Sequence, residues 1–184
     1  MATKAELIES ALRIGKEEEL KYVGCGQSTF SGICKTFSDA GMPLMEKEIE
    51  DKIFKGMIGL MAGCGLSARG SCGACSAASF MVSWTLDKGR EDNQENILEV
   101  VALTGEHVKK KIVDKFGEDY GSCVCRDIQF SKFGKATDFL SDNTLFVEFL
   151  RNTETCDLCT QENCTIAKGV AWAVEEICNI KGIH

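Results

Sequence analysis

The sequence has very little proline, and this shortage narrows the choice of fold. Pro43 is the only proline among 184 residues, and no run of alternating β-branched residues is present. Proline interrupts helices, and alternation with a period of two is the main signature of a strand. The chain is therefore predicted to be all-α, with helices separated by glycine-rich breaks.

Histidine is also scarce, which argues against histidine-based catalysis and mixed cysteine–histidine zinc sites. His184 is the last residue, and His107 stands beside the charged Glu106 and Lys109 on a predicted helix, so we expect it at the surface. The Cys-x-x-Cys-His signature of a covalent haem is missing. The glycine-rich stretch 63–73 has no Gly-Lys-Ser/Thr ending, which argues against a phosphate-binding loop.

Two further absences concern membranes and nucleic acids. The sequence contains no uninterrupted stretch of about 18 apolar residues, which is the length needed to cross a bilayer. The start of the chain carries Lys4 and Glu6 where a signal peptide would be apolar. The net charge is -7 and basic residues form no concentrated patch, whereas nucleic-acid affinity depends on such patches. We therefore expect a cytoplasmic protein that binds neither membranes nor nucleic acids.

The composition predicts one compact helical domain that covers residues 1–184. Hydrophobic residues make up 44% and charged residues 27%, which is an ordinary globular balance. A chain of this length can bury a core without disulfide staples. We find no internal repeat and no low-complexity linker.

Apolar spacing of three and four residues predicts six helices. Thr3 and Glu6 form a capping-box pattern at the start of the first one, which should run from about Lys4 to the Leu20 region. The others are indicated by apolar positions in the stretches 30–37, 49–61, 77–84, 97–116 and 166–177. We expect cysteines to occupy the loops and the helix starts between these stretches.

The abundant residue is cysteine. The chain has eleven, at Cys25, Cys34, Cys64, Cys72, Cys75, Cys123, Cys125, Cys156, Cys159, Cys164 and Cys178. An odd number of cysteines without an export signal argues against a closed disulfide framework, because the cytosol keeps thiols reduced. Metal binding or thiol redox chemistry remains as the explanation.

The positions of the cysteines divide them into two groups. Cys34 follows the apolar spacing of Phe30 and Phe37, so we expect it in the core, and Cys178 is similar. Most of the others fall in loops or at predicted helix starts, where unpaired N–H groups and the helix dipole favour an anionic sulfur. We therefore expect lowered thiol pKa values at these helix starts.

Two Cys-x-x-Cys pairs stand out, Cys72 with Cys75 and Cys156 with Cys159. Together with Cys164 and the pair at 123 and 125 they exceed the needs of one four-ligand site. Two alternatives to iron–sulfur binding stay open at this point. One is thiol–disulfide exchange in which Cys72 attacks and Cys75 resolves, and the other is a structural zinc module built on the two pairs.

The order of these motifs resembles the redox-active family that is named for its C…GCAxxG…C…C cysteine pattern. It is also similar to the C-terminal part of split-Soret cytochromes. The matching cysteines are Cys25 in the stretch 24–28, Cys72 in the stretch 72–77, Cys125 before Arg126-Asp127, and Cys164 before the last helix. Two residues depart from the pattern, since Ala77 replaces a glycine and Gly26 replaces an alanine.

The resemblance implies an iron–sulfur protein of an anaerobic cell that transfers electrons or senses redox state. It implies Cys25, Cys72, Cys125 and Cys164 as the thiolate ligands, and a [2Fe-2S] cluster is favoured over [4Fe-4S]. The wider set of metal-ligand candidates is Cys25, Cys72, Cys75, Cys125, Cys156, Cys159 and Cys164. We expect a redox partner protein, and a homodimer is also considered; no catalytic residue is assigned.

Overall fold

The computed structural model describes residues 2–137 and 163–184, and these residues form helices joined by short connections. The helices are α1 (Lys4–Tyr22), α2 (Cys25–Asp39), α3 (Lys47–Gly56), α4 (Gly73–Leu86), α5 (Arg90–Glu95), α6 (Ile97–Leu103), α7 (Asp114–Tyr120), α8 (Cys125–Phe133) and α9 (Thr165–Lys181). A 3₁₀ turn, Met57–Leu60, follows α3. The described ranges contain no strand, only an isolated antiparallel bridge between Ser71 and Val124. The all-α prediction is confirmed.

The predicted start of α1 is confirmed in detail. The Thr3 side chain accepts a hydrogen bond from the Glu6 N–H, and the Glu6 side chain accepts one from the Thr3 N–H. This reciprocal arrangement satisfies two N–H groups that the helix itself leaves unpaired. The apolar face of α1 buries Leu7, Ala11 and Ile14 in the core.

The predicted long helix is present but differs in its middle. Residues 97–120 are helical throughout, and the ten residues Thr104–Val113 form π-helix between α6 and α7. Val108 and Ile112 of this segment are buried. Apolar periodicity sets the extent of such a helix, but it does not reveal a change of winding from α to π.

Two short helices were not predicted from the sequence. The six residues of α5 include no buried residue, so no apolar stripe announces it. The start of α8 was interpreted as a loop because Gly121 and closely spaced cysteines precede it. The apolar face of α8 is short: Cys125, Ile128 and Gln129 are its buried residues.

The core is built around α9, which packs against α1, α2 and α4. Close approach is possible because two glycines face it. A Cβ on Gly15 would lie 2.7 Å from the Ala167 Cα, and a Cβ on Gly32 would lie 2.9 Å from a Val170 methyl group. The crossing at Gly15 fixes the start of α9 against the later turns of α1. No helix within residues 2–137 or 163–184 combines the length and apolarity needed to cross a membrane.

Candidate thiol centre

Three cysteines from separate segments meet at the starts of three helices. Cys25 is the first residue of α2, Cys72 is the N-cap of α4, and Cys125 is the first residue of α8. Backbone hydrogen bonds join the last two segments. The Cys72 N–H donates to the Cys123 carbonyl oxygen at 2.8 Å, and the Cys125 N–H donates to the Gly70 carbonyl oxygen at 3.0 Å. We call Cys25, Cys72 and Cys125 the thiol centre.

The side chains of Cys25 and Cys72 hydrogen-bond to each other. This bond lowers the pKa of Cys25 to about 7, and N–H donors from Ala62, Gly73 and Gly26 act in the same direction against the effect of burial. The same bond, together with burial, raises the pKa of Cys72 well above its ordinary value. When the pair carries one negative charge, that charge lies on Cys25, and Cys72 is its thiol donor.

Two glycines leave room for the sulfurs. A Cβ on Gly73 would overlap the Cys25 sulfur and would lie 2.7 Å from the Leu60 carbonyl oxygen. A Cβ on Gly63 would lie 2.5 Å from the Cys125 Cβ. Backbone thus takes the place of side chains around the centre, which lets N–H groups approach sulfur closely.

The loop between the 3₁₀ turn and α4 has an unusual backbone. Ala62, Cys64, Leu66 and Ala68 all have positive φ angles, of 46°, 60°, 69° and 56°, and the intervening Gly63 and Gly65 are also positive. The left-handed conformation costs a residue with a side chain roughly 1–2 kcal/mol. Strain of this kind concentrates at functional sites, where the surroundings impose it. Here it lets the Ala62 N–H reach the Cys25 sulfur.

Cys125 lies beside the pair and has a partner of its own. The Gln129 amide donates a hydrogen bond to its sulfur at 3.2 Å. Burial raises the pKa of Cys125 to about 11, and the charges of Cys25 and of the exposed Cys64 add to this rise. Cys72 also responds to the charge of Cys125. The three thiols of the centre therefore interact electrostatically, with Cys64 at its edge.

The predicted pairing of Cys72 with Cys75 is not the pairing that the contacts favour. Cys75 is buried one turn into α4, where Ser71 and Ser79 hydrogen-bond to it and Cys123 acts on it electrostatically. Burial raises its pKa to about 11. The side chain of Cys72 is hydrogen-bonded to that of Cys25 instead.

Cys164 is the N-cap of α9, but its surroundings differ from those of the thiol centre. Its thiol donates a hydrogen bond to Glu19 Oε2 at 2.9 Å, and its sulfur accepts one from the Ala167 N–H at 3.3 Å. Burial, followed by the Glu19 carboxylate, raises the pKa of Cys164 to about 12. Burial raises the pKa of Tyr120 to about 12, and the charges of Cys72 and Cys164 add to this rise, so both cysteines lie within electrostatic reach of its hydroxyl group.

The expectation that helix starts lower thiol pKa values is wrong at Cys72, Cys125 and Cys164, and it holds at Cys25. Desolvation of a buried thiolate outweighs the helix dipole unless several donors meet the sulfur. The first turn of a helix is therefore insufficient by itself to produce a thiolate.

The two predicted core cysteines are confirmed as buried, Cys34 at 2% exposure and Cys178 at 0%. The prediction that His107 lies at the surface holds only in part. Its Nδ1 lies 2.7 Å from Oε1 of the buried Glu176, and its side chain is only 25% exposed. The neighbours of His107 in sequence are polar, so the sequence did not indicate its contact with Glu176 of α9.

The other members of the predicted ligand set are placed as follows. Cys156 and Cys159 lie outside the described residues, so their pairing stays a prediction, as does the zinc module that depends on it. Within residues 2–137 and 163–184, no three histidine, cysteine, aspartate or glutamate side chains form a group that could hold a metal ion. The structure thus brings Cys25, Cys72 and Cys125 together as interacting thiols, whereas the Cys164 thiol is hydrogen-bonded to Glu19.

Sequence reasoning missed several residues that shape these sites. Gln129 follows Cys125 by four residues, so it would have been found had α8 been predicted. Cys64 carried a weak signal, because it lies in the glycine-rich loop. Glu19 had none, since 145 residues separate it from Cys164.

Comparison with known proteins gives one match, to a family model. The model described as "Putative redox-active protein (C_GCAxxG_C_C)" matches residues 23–170, which is more than half of the chain. This range includes Cys25, Cys72, Cys125 and Cys164. No curated protein and no solved structure matches significantly. The chain therefore belongs to the redox-active protein family named for the C…GCAxxG…C…C pattern.

Proposed function

We propose that this protein binds an iron–sulfur cluster at the thiol centre and uses it to transfer electrons or to sense redox state. One observation carries the proposal: the Cys25 sulfur bonds to Cys72 at the meeting point of helix starts, with Cys125 in electrostatic contact. Ordinary core cysteines are surrounded by carbon, as small apolar residues are. Membership of a redox-active family supports a redox role for these thiols.

The chemistry of the centre fits an iron–sulfur cluster. Such clusters are held by cysteine thiolates, and N–H groups that approach sulfur help to set the reduction potential. The centre supplies one thiolate, Cys25, with N–H donors from Ala62, Gly73 and Gly26 around its sulfur. Cys72 and Cys125 would release their protons on binding metal. Gly73 has no Cβ, and a Cβ there would fill the space that the Cys25 sulfur occupies.

Cys25, Cys72 and Cys125 would hold the cluster, and Cys164 is the fourth ligand that the family pattern implies. A [2Fe-2S] cluster stays our first choice and [4Fe-4S] the alternative, since both take four cysteine ligands. The Cys164 thiol must leave Glu19 to become a ligand, because a thiol that donates to a carboxylate keeps its proton.

The cluster would supply one-electron redox chemistry, and the chain supplies its surroundings. The N–H donors at Cys25 stabilise negative charge on sulfur. Burial of Cys72 and Cys125 keeps water away from their sulfurs. The net charge of -7 suits docking to a basic redox partner.

Metal and sulfide analysis tests the proposal. Protein purified without oxygen and reconstituted with iron and sulfide should be brown and should contain both elements. Cys25→Ser, Cys72→Ser and Cys125→Ser should each lower the iron content strongly, because serine is a harder and more basic ligand. Cys34→Ser is the matched control on α2, since Cys34 is buried in the core and should affect stability alone.

Two results would contradict the proposal. One is colourless protein without iron after reconstitution. The other is an iron content that Cys72→Ser leaves intact and Cys34→Ser abolishes. Stoichiometric zinc without sulfide would support the structural zinc module instead.

A further inference from the structure

Cys25 and Cys72 are paired with each other, whereas Cys75, Cys125 and Cys164 have other side-chain partners. The Cys125 sulfur accepts a hydrogen bond from Gln129, and the Cys164 thiol donates one to Glu19. Cys75 forms side-chain hydrogen bonds with Ser71 and Ser79. The side-chain hydrogen bond of Cys25 goes to another thiol, that of Cys72. The fold has therefore selected two thiols for each other.

The backbone around the pair is fixed on both sides. The Ser28 N–H donates to the Gly24 carbonyl oxygen at 2.7 Å and closes the first turn of α2 around Cys25. The Ser76 N–H donates to the Cys72 carbonyl oxygen at 2.9 Å and closes the first turn of α4. Gly73, the residue after Cys72, presents no Cβ where the Cys25 sulfur lies. A disulfide between the two residues would therefore form by rotation of their side chains rather than by movement of the backbone.

The two thiols differ in access to solvent. Cys25 is partly exposed, whereas Cys72 is 6% exposed. Cys25 is therefore the more exposed residue of the pair, and we take it as the thiol that reacts first.

We propose that, in the cluster-free protein, Cys25 and Cys72 form a reversible disulfide by exchange with a low-molecular-weight disulfide, and that this bond keeps the thiol centre closed to metal until it is reduced. The inference rests on the proposed function in that it names a regulation of the same centre. The pair differs from the Cys72 and Cys75 pair that the sequence predicted.

The exchange balances in two steps. The Cys25 thiolate, whose proton has gone to solvent, attacks one sulfur of the small disulfide, the disulfide bond breaks, and one small thiolate leaves and takes up a proton from solvent. Cys72 then loses its proton and attacks the sulfur of Cys25 in the mixed disulfide, which releases the second small thiolate to take up that proton. The two protein thiols are oxidised, and one small disulfide is reduced to two thiols.

Glutathione redox buffers applied to the metal-free full-length chain test the proposal. After equilibration, free thiols are blocked with N-ethylmaleimide, and the protein is digested and examined by mass spectrometry. We expect a linked Cys25–Cys72 peptide to become the main disulfide and to disappear with dithiothreitol. The Cys72→Ser variant should stop at glutathione attached to Cys25, and Cys34→Ser should behave as the wild type.

A second measurement follows metal uptake. Disulfide-containing protein should take up less than roughly a tenth of the iron that the reduced protein takes up, because two thiolate ligands are lost. Treatment with dithiothreitol should restore uptake. The wild-type measurement needs no variant, so a folding defect in Cys72→Ser does not affect it.

The outcomes separate the two proposals. Iron and sulfide binding without any Cys25–Cys72 linkage overturns this inference and leaves the proposed function standing. Linkage in protein that takes up no iron when reduced supports the reversible disulfide, overturns the proposed function, and overturns the role of the disulfide in closing the centre to metal. A main linkage between Cys72 and Cys75, or full metal uptake by the oxidised protein, also overturns the inference.

Discussion

Cys25 and Cys164 occupy comparable positions at helix starts, but their thiol pKa values are shifted in opposite directions. Each lies at the first turn of a core helix, Cys25 at α2 and Cys164 at α9. The pKa of Cys25 is lowered by the Cys72 thiol and three N–H donors. The pKa of Cys164 is raised to about 12 by burial and by the Glu19 carboxylate. The difference lies in the partner that the fold places at the sulfur.

The magnitudes explain why the partner decides. A helix dipole is worth about 0.3–1 kcal/mol at a charged group near the surface, which is less than one pKa unit of about 1.4 kcal/mol. Full burial shifts a pKa by up to 3–5 units. A cysteine at a buried helix start therefore keeps its proton unless other donors add to the dipole, as they do at Cys25.

The largest expected effect comes from filling the space at the thiol centre. In Gly73→Ala, the new Cβ would meet the Cys25 sulfur and lie 2.8 Å from the Gly26 nitrogen, and backbone cannot yield cheaply. We expect a loss of about 3 kcal/mol in the free energy of unfolding. Urea denaturation measures it. Gly169→Ala in α9 is the control, because its nearest contacts are ordinary at 3.5 Å, and a gain of up to about 1 kcal/mol is expected. Equal effects of the two changes would show that the centre is loosely packed.

The buried thiols should make the reduced, metal-free protein less stable at alkaline pH. The pKa values of Cys34, Cys75, Cys125 and Cys164 are raised to about 11 or 12 in the folded state, from 9.0. The stability they contribute is complete below pH 9 and is lost as pH rises through the folded pKa, because the unfolded chain releases its protons first.

Cys25 has the opposite sign, since its lowered pKa contributes stability that is lost as pH falls through about 7. It is one thiol against six with raised pKa values, because Cys72 and Cys178 add to the four named above. We therefore expect urea denaturation to show at least about 2 kcal/mol less stability at pH 10 than at pH 8. The Cys164→Ala variant should show a smaller loss between these pH values, and an unchanged loss would contradict the raised pKa of Cys164.

Reactivity toward iodoacetamide compares two first-turn cysteines directly. The thiolate is the nucleophile, and the pKa of Cys25 is lowered whereas that of Cys125 is raised by burial. In reduced, metal-free protein at pH 7, Cys25 should react at least about tenfold faster than Cys125. Mass spectrometry with isotope-coded reagent gives both rates in one sample. Comparable rates would refute the assignment of the thiolate to Cys25.

The smallest expected effect is a change of partner at Cys164. Glu19→Gln replaces the carboxylate by a neutral amide, so the pKa of Cys164 should fall but stay above its ordinary value, because burial is the larger cause. Stability should change by less than about 1 kcal/mol. Alkylation of Cys164 as a function of pH follows the pKa. Glu17→Gln on the exposed side of α1 is the control and should leave Cys164 unchanged.

Much of the helical framework could be predicted, and particular residues show why. Thr3 and Glu6 mark the start of α1, and Gly41 lies just after the end of α2. These signals act over three or four residues, so the sequence displays them. The left-handed loop that contains Cys64 could not be predicted in the same way. Its residues with side chains adopt a conformation that they disfavour alone, which only surrounding contacts can impose.

The candidate site divides in the same manner. Cysteine number, the motif order and the family were readable from the sequence, because they depend on residue identity and spacing. The pairing of Cys72 was not, because Cys75 is nearer in sequence while Cys25 is the residue that it meets. The fate of Cys164 depends on the crossing of α1 and α9 at Gly15, which brings Glu19 to its sulfur.

The sequence alone indicates where the six predicted helices lie and that most cysteines stand in loops or at helix starts. Those properties depend on interactions between residues close together in the chain. Tertiary structure decided which thiols meet and which of them carries charge. Both depend on helix crossings and on desolvation, and these arise only when distant segments pack together.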